Sequence, residues 1–392
     1  MSVKAFLEKA RPLAAGSQIL KLVTGNQSAD MDSVVSAIIY AFFYNKHFPD
    51  KVPYLPLVNI PQDELRLRRD IELLLNSHGI NAKYLLFLDD LKPLLEGSSK
   101  VLNLVLVDHC NLQGQELIAL NKANRLKVTG IIDHHADEGA FLDANPRIIQ
   151  SNGSCSALVY NYWTNEQGES APTEVAKLLL GPLLIDTSNM TQKMEEGDIK
   201  AFSSYKKVLE GEVSALGVEN DLINGLYKQL KSAKKDLNGY SFYDILRKDY
   251  KQFAFTSPTG TVNVGFSSLG KSIKWITNNF TAAEIASTLD KMCHNFGLDI
   301  IVITTSYTKK ENDEYTREFC FSTTGTRFAP LASFADALVL NDDLYGGAIV
   351  KEKVLLVNKH RPFEVYNQVN IKASRKQVVP VVKDIIEGGK LK

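Results

Sequence analysis

Cysteine is scarce and scattered in this 392-residue chain. Cys110, Cys155, Cys293 and Cys320 are the only four, and no two form a CxxC pair. That excludes a zinc knuckle and gives no sign of a disulfide framework, and a reducing compartment is the simplest setting. No stretch approaches the ~18 consecutive apolar residues of a membrane span. Met1–Leu20 lacks an uninterrupted apolar segment of signal-peptide length. A cytoplasmic protein with no membrane partner is therefore expected. Net charge is also lacking: 45 basic residues balance 45 acidic ones. The basic clusters show little of the aromatic interleaving used to stack bases, Tyr250 and Phe253 apart, so no nucleic-acid partner is expected. No internal repeat or low-complexity tract stands out.

Apolar content of 44% and charged content of 23% describe an ordinary globular protein, and the length suggests two or three domains. The neutral total hides an asymmetry. Residues 1–195 carry 18 basic and 22 acidic side chains, and residues 196–392 carry 27 and 23. Such a division arises by chance or from a cation-binding half and an anion-binding half.

Strand-like and helix-like segments alternate through the first half. Strands are expected at Ile19–Val23, Tyr54–Val58, Tyr84–Leu88, Leu102–Val107 and Val128–Ile132. Helices are expected at Ser33–Phe43, with Ser33 as the cap, at Leu65–His78 and at Ser154–Trp163. Continuous rather than alternating apolar strands predict a parallel sheet covered on both faces. Ligands bind such sheets outside the carboxyl ends of the strands. Residues 196–236 read as a charged helical connector, with Lys228, Lys231, Lys234 and Lys235 near its end. Beyond it the pattern is mixed, with strands at Phe253–Phe255, Val262–Phe266, Ile300–Thr304 and Phe319–Ser322.

The chemistry gathers at strand ends. Val128–Ile132 runs without a spacer into Asp133-His134-His135, and Leu102–Val107 runs into Asp108-His109. Asp30 and Asp32, in the loop before the first long helix, fit either capping or metal ligation. Together with the strand-terminal acids and imidazoles they favour a metal site. Carboxylate and imidazole donors without thiolate suit Mg²⁺, Mn²⁺ or Co²⁺, and an aspartate that bridges two ions makes a two-metal centre able to activate water. Asp186, closing an apolar stretch, is a cap, a core-edge acid or a further ligand. Gly153-Ser154-Cys155-Ser156 opens a helix and serves as a cap or offers its N–H groups to an anion. Nothing nearby argues for Cys155 as a nucleophile. The clusters Arg247-Lys248-Asp249-Tyr250-Lys251 and Ser374-Arg375-Lys376 are solvated faces or phosphate clamps.

The order of these motifs resembles the DHH phosphoesterase superfamily over nearly the whole chain. The aspartate loop lies at 25–33, then come Asp108, the triplet 133–135, Asp186 and the Ser-Arg-Lys segment at 374–376. The stretch Ser-Arg-Lys-Gln-Val-Val-Pro points to the branch of family II inorganic pyrophosphatases, fungal exopolyphosphatases and prune-type phosphodiesterases. Gly25-Asn26 stands where the pyrophosphatase pattern has Gly-His. With that change, Leu-x-Leu-Arg-Arg-Asp and Ile-Asp-Thr-Ser-Asn-Met resemble the yeast-type exopolyphosphatase group.

The resemblance implies an α/β fold of two domains: a parallel-sheet domain over 1–195, the connector at 196–236, and a smaller α/β domain with a mixed sheet over 237–392. The active site would lie in the cleft between them. Two divalent ions would be held by Asp30, Asp32, Asp108, Asp133, His134 and Asp186, with Mg²⁺ preferred over Mn²⁺ or Co²⁺ because Asn26 replaces a histidine. His135, Arg375 and Lys376 would act on the reacting phosphate. Arg66, Arg68, Arg69, Lys193, Lys248, Lys251, His360, Arg361 and Ser374 would hold the rest of the substrate. The expected activity is release of orthophosphate from the end of inorganic polyphosphate by a monomer. The alternatives are a pyrophosphatase, a prune-like hydrolase of nucleotides or short polyphosphates, a non-catalytic polyphosphate- or partner-binding protein, and an RNA-binding or exonuclease role, since single strands are also polyanions.

Overall fold

A computed structural model of the chain describes residues 1–16, 19–213, 219–323, 351–358 and 361–388, with side chains described except at 210–213, 219–221 and 351–364. The chain forms two compact units, Met1–Asp236 and Leu237–Lys392. None of the described helices is long and apolar enough to cross a membrane.

The first unit runs α1 (Val3–Ala10), α2 (Leu13–Gly16), β1 (Ile19–Thr24), α3 (Met31–His47), β2 (Tyr54–Val58), α4 (Arg69–Ser77), β3 (Leu86–Phe87), α5 (Leu88–Leu95), β4 (Val101–Val107), α6 (Gln115–Lys122), β5 (Leu126–Asp133), β6 (Arg147–Ile149), α7 (Cys155–Asn161), α8 (Thr173–Asp186), α9 (Glu196–Val213) and α10 (Glu219–Lys235). Its strands form one sheet in the order β3-β2-β1-β4-β5-β6, with every neighbouring pair parallel. The chain winds outward from β1 to β3, then returns to place β4 on the other side of β1. The β1/β4 junction is therefore the point where strand order reverses, and loops leaving two adjacent carboxyl ends diverge there to open a crevice.

The near-continuous apolar strands are explained by the helices around them. Every residue of α3 from Met31 to Phe43 is buried, as expected of a helix packed on several sides: it contacts β1, β2, α7 and α8. The helices read as a connector belong to this unit. Ala201, Tyr205 and Leu209 of α9 and Leu230 of α10 are buried in the first core, with α9 against α7 and α8, and α10 against α4 and α8. The strand expected over Tyr84–Leu88 shrinks to two residues, because Asp90 Oδ2 accepts the Phe87 N–H at 2.9 Å and starts α5 at once.

The second unit contains α11 (Phe242–Lys248), β7 (Tyr250–Ser257), β8 (Gly260–Leu269), α12 (Ile273–Asn279), α13 (Ala282–Phe296), β9 (Ile300–Thr305), β10 (Tyr307–Thr308), β11 (Tyr315–Thr316), β12 (Glu318–Thr323), β13 (Lys351–Asn358), β14 (Arg361–Asn367) and α14 (Arg375–Glu387). Its main sheet has the order β13-β14-β12-β9-β8-β7. The β8/β9 pair is parallel and the others are antiparallel, so the sheet is mixed. Alternate residues Val262, Val264, Phe266, Ile300, Val302, Phe319 and Phe321 share a core with Val378, Val382, Ile385 and Ile386 of α14, the period-two pattern of a sheet face under a helix.

One close approach fixes the loop after β1. A Cβ on Gly25 would lie 2.3 Å from Ser33 Cβ and 2.7 Å from Ser33 Cα, so the loop after β1 lies directly on the first turn of α3. Backbone cannot give way as a side-chain tip can. Gly25→Ala is expected to destabilise the protein by about 1–3 kcal/mol, the range of overpacking, read as a lower urea midpoint. A change within about 0.5 kcal/mol, typical of a neutral surface substitution, would contradict this packing.

Candidate metal centre

The loop after β1 is shaped from beneath. Ala29 takes a left-handed conformation (φ 44°), and the buried guanidinium of Arg68 holds it there. Arg68 donates to the carbonyls of Ser28 (Nη2, 2.6 Å), Ala29 (Nε, 3.0 Å) and Glu64 (Nη1, 3.1 Å). Arg68, expected among the substrate-holding groups, is only 3% exposed, and these bonds fix the aspartate loop. The N-cap of α3 is Asp30, which accepts the Ser33 N–H at 3.0 Å, and not Ser33 as expected. Ser33 Oγ is thereby free to accept the Asn26 N–H at 3.0 Å and to donate to Asp108 Oδ2 at 2.6 Å.

Asp108 leaves the end of β4 in a left-handed conformation (φ 62°). Its N–H donates to Ile132 O and Cys155 Sγ. Asn26 Nδ2 donates to its Oδ2 at 2.6 Å, while Oδ1 lies 3.0 Å from His134 Nε2 and 3.7 Å from His135 Nδ1. Asn26 Oδ1 is occupied by the N–H and O–H of Ser28, so Asn26 turns a donor rather than an oxygen toward the acids. Asp108, His134 and His135 each offer a ligating atom, all within 4.8 Å of one another.

Two imidazoles follow Asp133 from β5. Asp133 Oδ1 accepts the His134 N–H, the His135 N–H and His135 Nδ1 at 2.7–3.1 Å. His134 Nδ1 lies 2.9 Å from the Asn152 carbonyl. A carbonyl only accepts, so this contact assigns the proton to Nδ1 and turns Nε2 toward Asp108 and Asp32. Asp32, on the first turn of α3, is held by Ser154 Oγ–H (2.7 Å), Cys155 N–H (2.6 Å) and Ser156 N–H (2.8 Å). The anion at the start of α7 is thus Asp32 itself. Asp186 closes α8, and its carboxyl interacts electrostatically with Asp32, Asp30 and Asp108.

Burial and repulsion govern the charges. Burial, then Asp108, push Asp32 up to about 7, with His134 opposing. Burial also works against charge on Asp108, but the hydrogen bond and charge of His134, with His135 and Ser33, hold its carboxyl well below the usual range. Burial opposes Asp133 likewise, and His135 outweighs it. Burial and Asp32 raise Asp186 far above its ordinary value, with Lys234 pulling the other way. Asp133 Oδ2 and Asp186 Oδ2 are buried without a hydrogen-bond partner. Burial keeps the Cys155 thiol protonated.

The other expected substrate groups belong to both units. Arg69 pairs with Asp236, and Lys193 is exposed on the loop after α8. In the second unit, Arg375 donates to the carbonyl and Oδ1 of Asp249 at 2.9 and 2.7 Å. Ser374 caps α14, accepting the Lys376 N–H at 3.3 Å; Lys376 is exposed and Lys251 half-buried on β7. Lys248 lies over the Tyr240 ring. His360 and the Arg361 side chain lie outside the described residues. Sequence reasoning missed Ser33, Ser154 and Asn152 as orienting groups, and Asp198, which accepts from Asn152 Nδ2. The usable signal for Asp198 was an acid at the third position of a helix.

Residues 21–183 match the DHH family, N-terminal domain, and residues 228–385 match the DHHA2 domain. A Schizosaccharomyces pombe protein named "Putative exopolyphosphatase" is 33% identical over 93% of this chain and 90% of its own length. Exopolyphosphatase PRUNE1 of Mus musculus is 26% identical over 97% of this chain and 78% of its own. A "Probable manganese-dependent inorganic pyrophosphatase" of Deinococcus radiodurans is 28% identical over 62% of this chain and 68% of its own. With both domains in order and similarity to an exopolyphosphatase-named protein along almost its whole length, the chain belongs to the DHH phosphoesterase superfamily.

Proposed function

We propose that the protein is a metal-dependent exopolyphosphatase, a phosphoanhydride hydrolase that removes terminal orthophosphate from inorganic polyphosphate. The observation that carries this reading is the convergence of Asp32, Asp108, Asp133, His134 and His135 on the strand-order reversal of a DHH domain.

The residues fit divalent ions. Buried carboxylate oxygens of Asp133 and Asp186 lack partners, and a divalent ion would offset the burial and repulsion that raise Asp32 and Asp186. His134 donates its Nδ1 proton to a backbone carbonyl, the arrangement that orients a ligating imidazole. Oxygen and imidazole donors without a thiolate favour Mg²⁺ or Mn²⁺. Asp30, Asp32, Asp108, Asp133, His134 and Asp186 would hold two ions. When bound, the ions supply an activated water and neutralise phosphate charge.

The chain's own residues do the rest. Asn26 and Ser33 take Asp108 Oδ2 and so direct Oδ1 toward His134. Asp133 fixes the His135 ring through Nδ1, leaving Nε2 for a phosphate oxygen. Arg375, oriented by Asp249, and Lys376 would bind phosphate oxygens, with Lys251 and Lys248 for following units. A fixed guanidinium fork beside an ammonium matches a polyanion and makes binding weaken with salt.

The test is phosphate release from tripolyphosphate, long polyphosphate and pyrophosphate in Mg²⁺. Faster release from the first two than from pyrophosphate is expected; a preference for pyrophosphate would overturn the assignment. Asp108→Ala should lower kcat by roughly 100-fold or more, the scale of losing an electrostatic group that acts in the transition state. Turnover near the original rate would remove Asp108 from the centre. Asn26→His exchanges a donor facing Asp108 for an imidazole nitrogen, which suits Mn²⁺. It is expected to shift metal preference toward Mn²⁺ and to raise hydrolysis of pyrophosphate relative to tripolyphosphate. An unchanged metal and substrate profile would contradict this role of Asn26.

A further inference from the structure

We propose that Asp198 is a positioning residue that sets two metal-site side chains at once, His134 and Asp32, by gripping the loop Asn152–Ser154; this rests on reading His134 and Asp32 as ligands. Asp198 lies near the start of α9 and is fully buried (0% exposed). Both its oxygens are engaged. Oδ1 accepts Asn152 Nδ2 at 2.7 Å and the Ser154 N–H at 3.1 Å. Oδ2 accepts the Gly153 N–H at 2.6 Å and the Glu195 N–H at 2.9 Å. Only the Glu195 bond is what a helix start asks of an acid at this position. The other three all end on one three-residue loop.

That loop touches the metal centre at both of its ends. The Asn152 carbonyl accepts the His134 Nδ1 proton at 2.9 Å and fixes which ring nitrogen faces Asp108. Ser154 Oγ donates to Asp32 Oδ1 at 2.7 Å, and the next two backbone N–H groups complete the hold on Asp32. Asp198 hydrogen-bonds to neither side chain, so beyond its direct electrostatic attraction to His134 its hold on their positions passes through the loop. The loop has little room to take another path. A Cβ on Gly153 would lie 2.6 Å from the Lys193 carbonyl oxygen and 2.9 Å from Asp198 Oδ2.

Four N–H donors converge on Asp198, so its substitution by asparagine has a defined consequence. The new amide N–H₂ would face two N–H groups, and a like-facing donor pair buried without an acceptor moves apart. Asn152 or Gly153 must shift, and the His134 ring follows the carbonyl that holds it. Removing an orienting group behind a metal ligand typically weakens metal affinity 10–100-fold.

The experiment measures Mn²⁺ binding to the full chain by calorimetry, beside the urea midpoint of the metal-free protein and kcat and KM for tripolyphosphate. For Asp198→Asn, an Mn²⁺ affinity roughly 10–100-fold weaker is expected, with kcat lowered and KM nearly unchanged. The effect is also expected to be non-additive with Ser154→Ala, since both act through one loop. Should Asp198→Asn fail to fold, Asn152→Ala removes one arm of the grip while keeping the carbonyl, and is expected to weaken Mn²⁺ binding in the same direction. An unchanged Mn²⁺ affinity with a lower urea midpoint would overturn the proposal and leave Asp198 as a helix cap. Absence of Mn²⁺ binding by the unsubstituted chain would overturn the ligand reading itself, and with it this inference.

Discussion

Negative charge buried at one sheet edge is the constraint around which the first unit is built. Asp32, Asp108 and Asp133 are each at most 3% exposed and stand close enough to repel one another. Among the described residues, their hydrogen-bond and ion-pair partners are hydroxyls, amides and imidazoles rather than arginine or lysine. Uncompensated charges in such a setting cost several kcal/mol each. The surroundings soften this with oriented donors from Asn26, Ser33, Ser154 and the start of α7, but two carboxylate oxygens stay without a partner. A divalent cation is the natural remainder of that balance, and the α/β scaffold is what keeps the carboxylates from swinging apart without it.

The scaffold achieves this by strand order. Because β1 and β4 are neighbours but their loops depart in opposite directions, Asn26 and Asp108 meet although 82 residues separate them. The reversal also brings β5 beside β4, so the triplet at 133–135 arrives at the same edge. Side chains behind the site then act as clamps. Arg68 sets the path of the aspartate loop, and Asp198 grips the loop that carries Asn152 and Ser154. Both are buried charged residues, and most of their described hydrogen bonds go to backbone groups.

Much of this was legible in the chain. An apolar run that ends in Asp-His-His can hardly be anything but a buried strand delivering polar groups to a sheet end, and β5 is that strand. Asn26 stood out because it replaces an expected imidazole. What escaped notice shares one physical cause: a buried ion that bonds to backbone looks, in sequence, like a solvated surface ion. Arg68 lies close to Arg66 and Arg69 and reads with them as a substrate-holding cation. Asp198, in Glu195-Glu196-Gly197-Asp198, falls at the start of what reads as a charged helical connector. Ser33 reads as a cap in sequence because Asp30 and Ser33 both satisfy capping preferences, and only Asp108, 75 residues away, decides between them. The helices α9 and α10 read as a connector because their surface charge obscures the narrow apolar stripe of Ala201, Tyr205, Leu209 and Leu230.

The central claim is that this acid and imidazole cluster is the metal centre of the protein. Anomalous diffraction from crystals grown with Mn²⁺ tests it most directly. The account predicts two anomalous peaks within coordination distance of the carboxylates, one of them also on His134 Nε2, and their loss in Asp108→Ala. Peaks elsewhere, or none beside Asp32, Asp108 and His134, would contradict it.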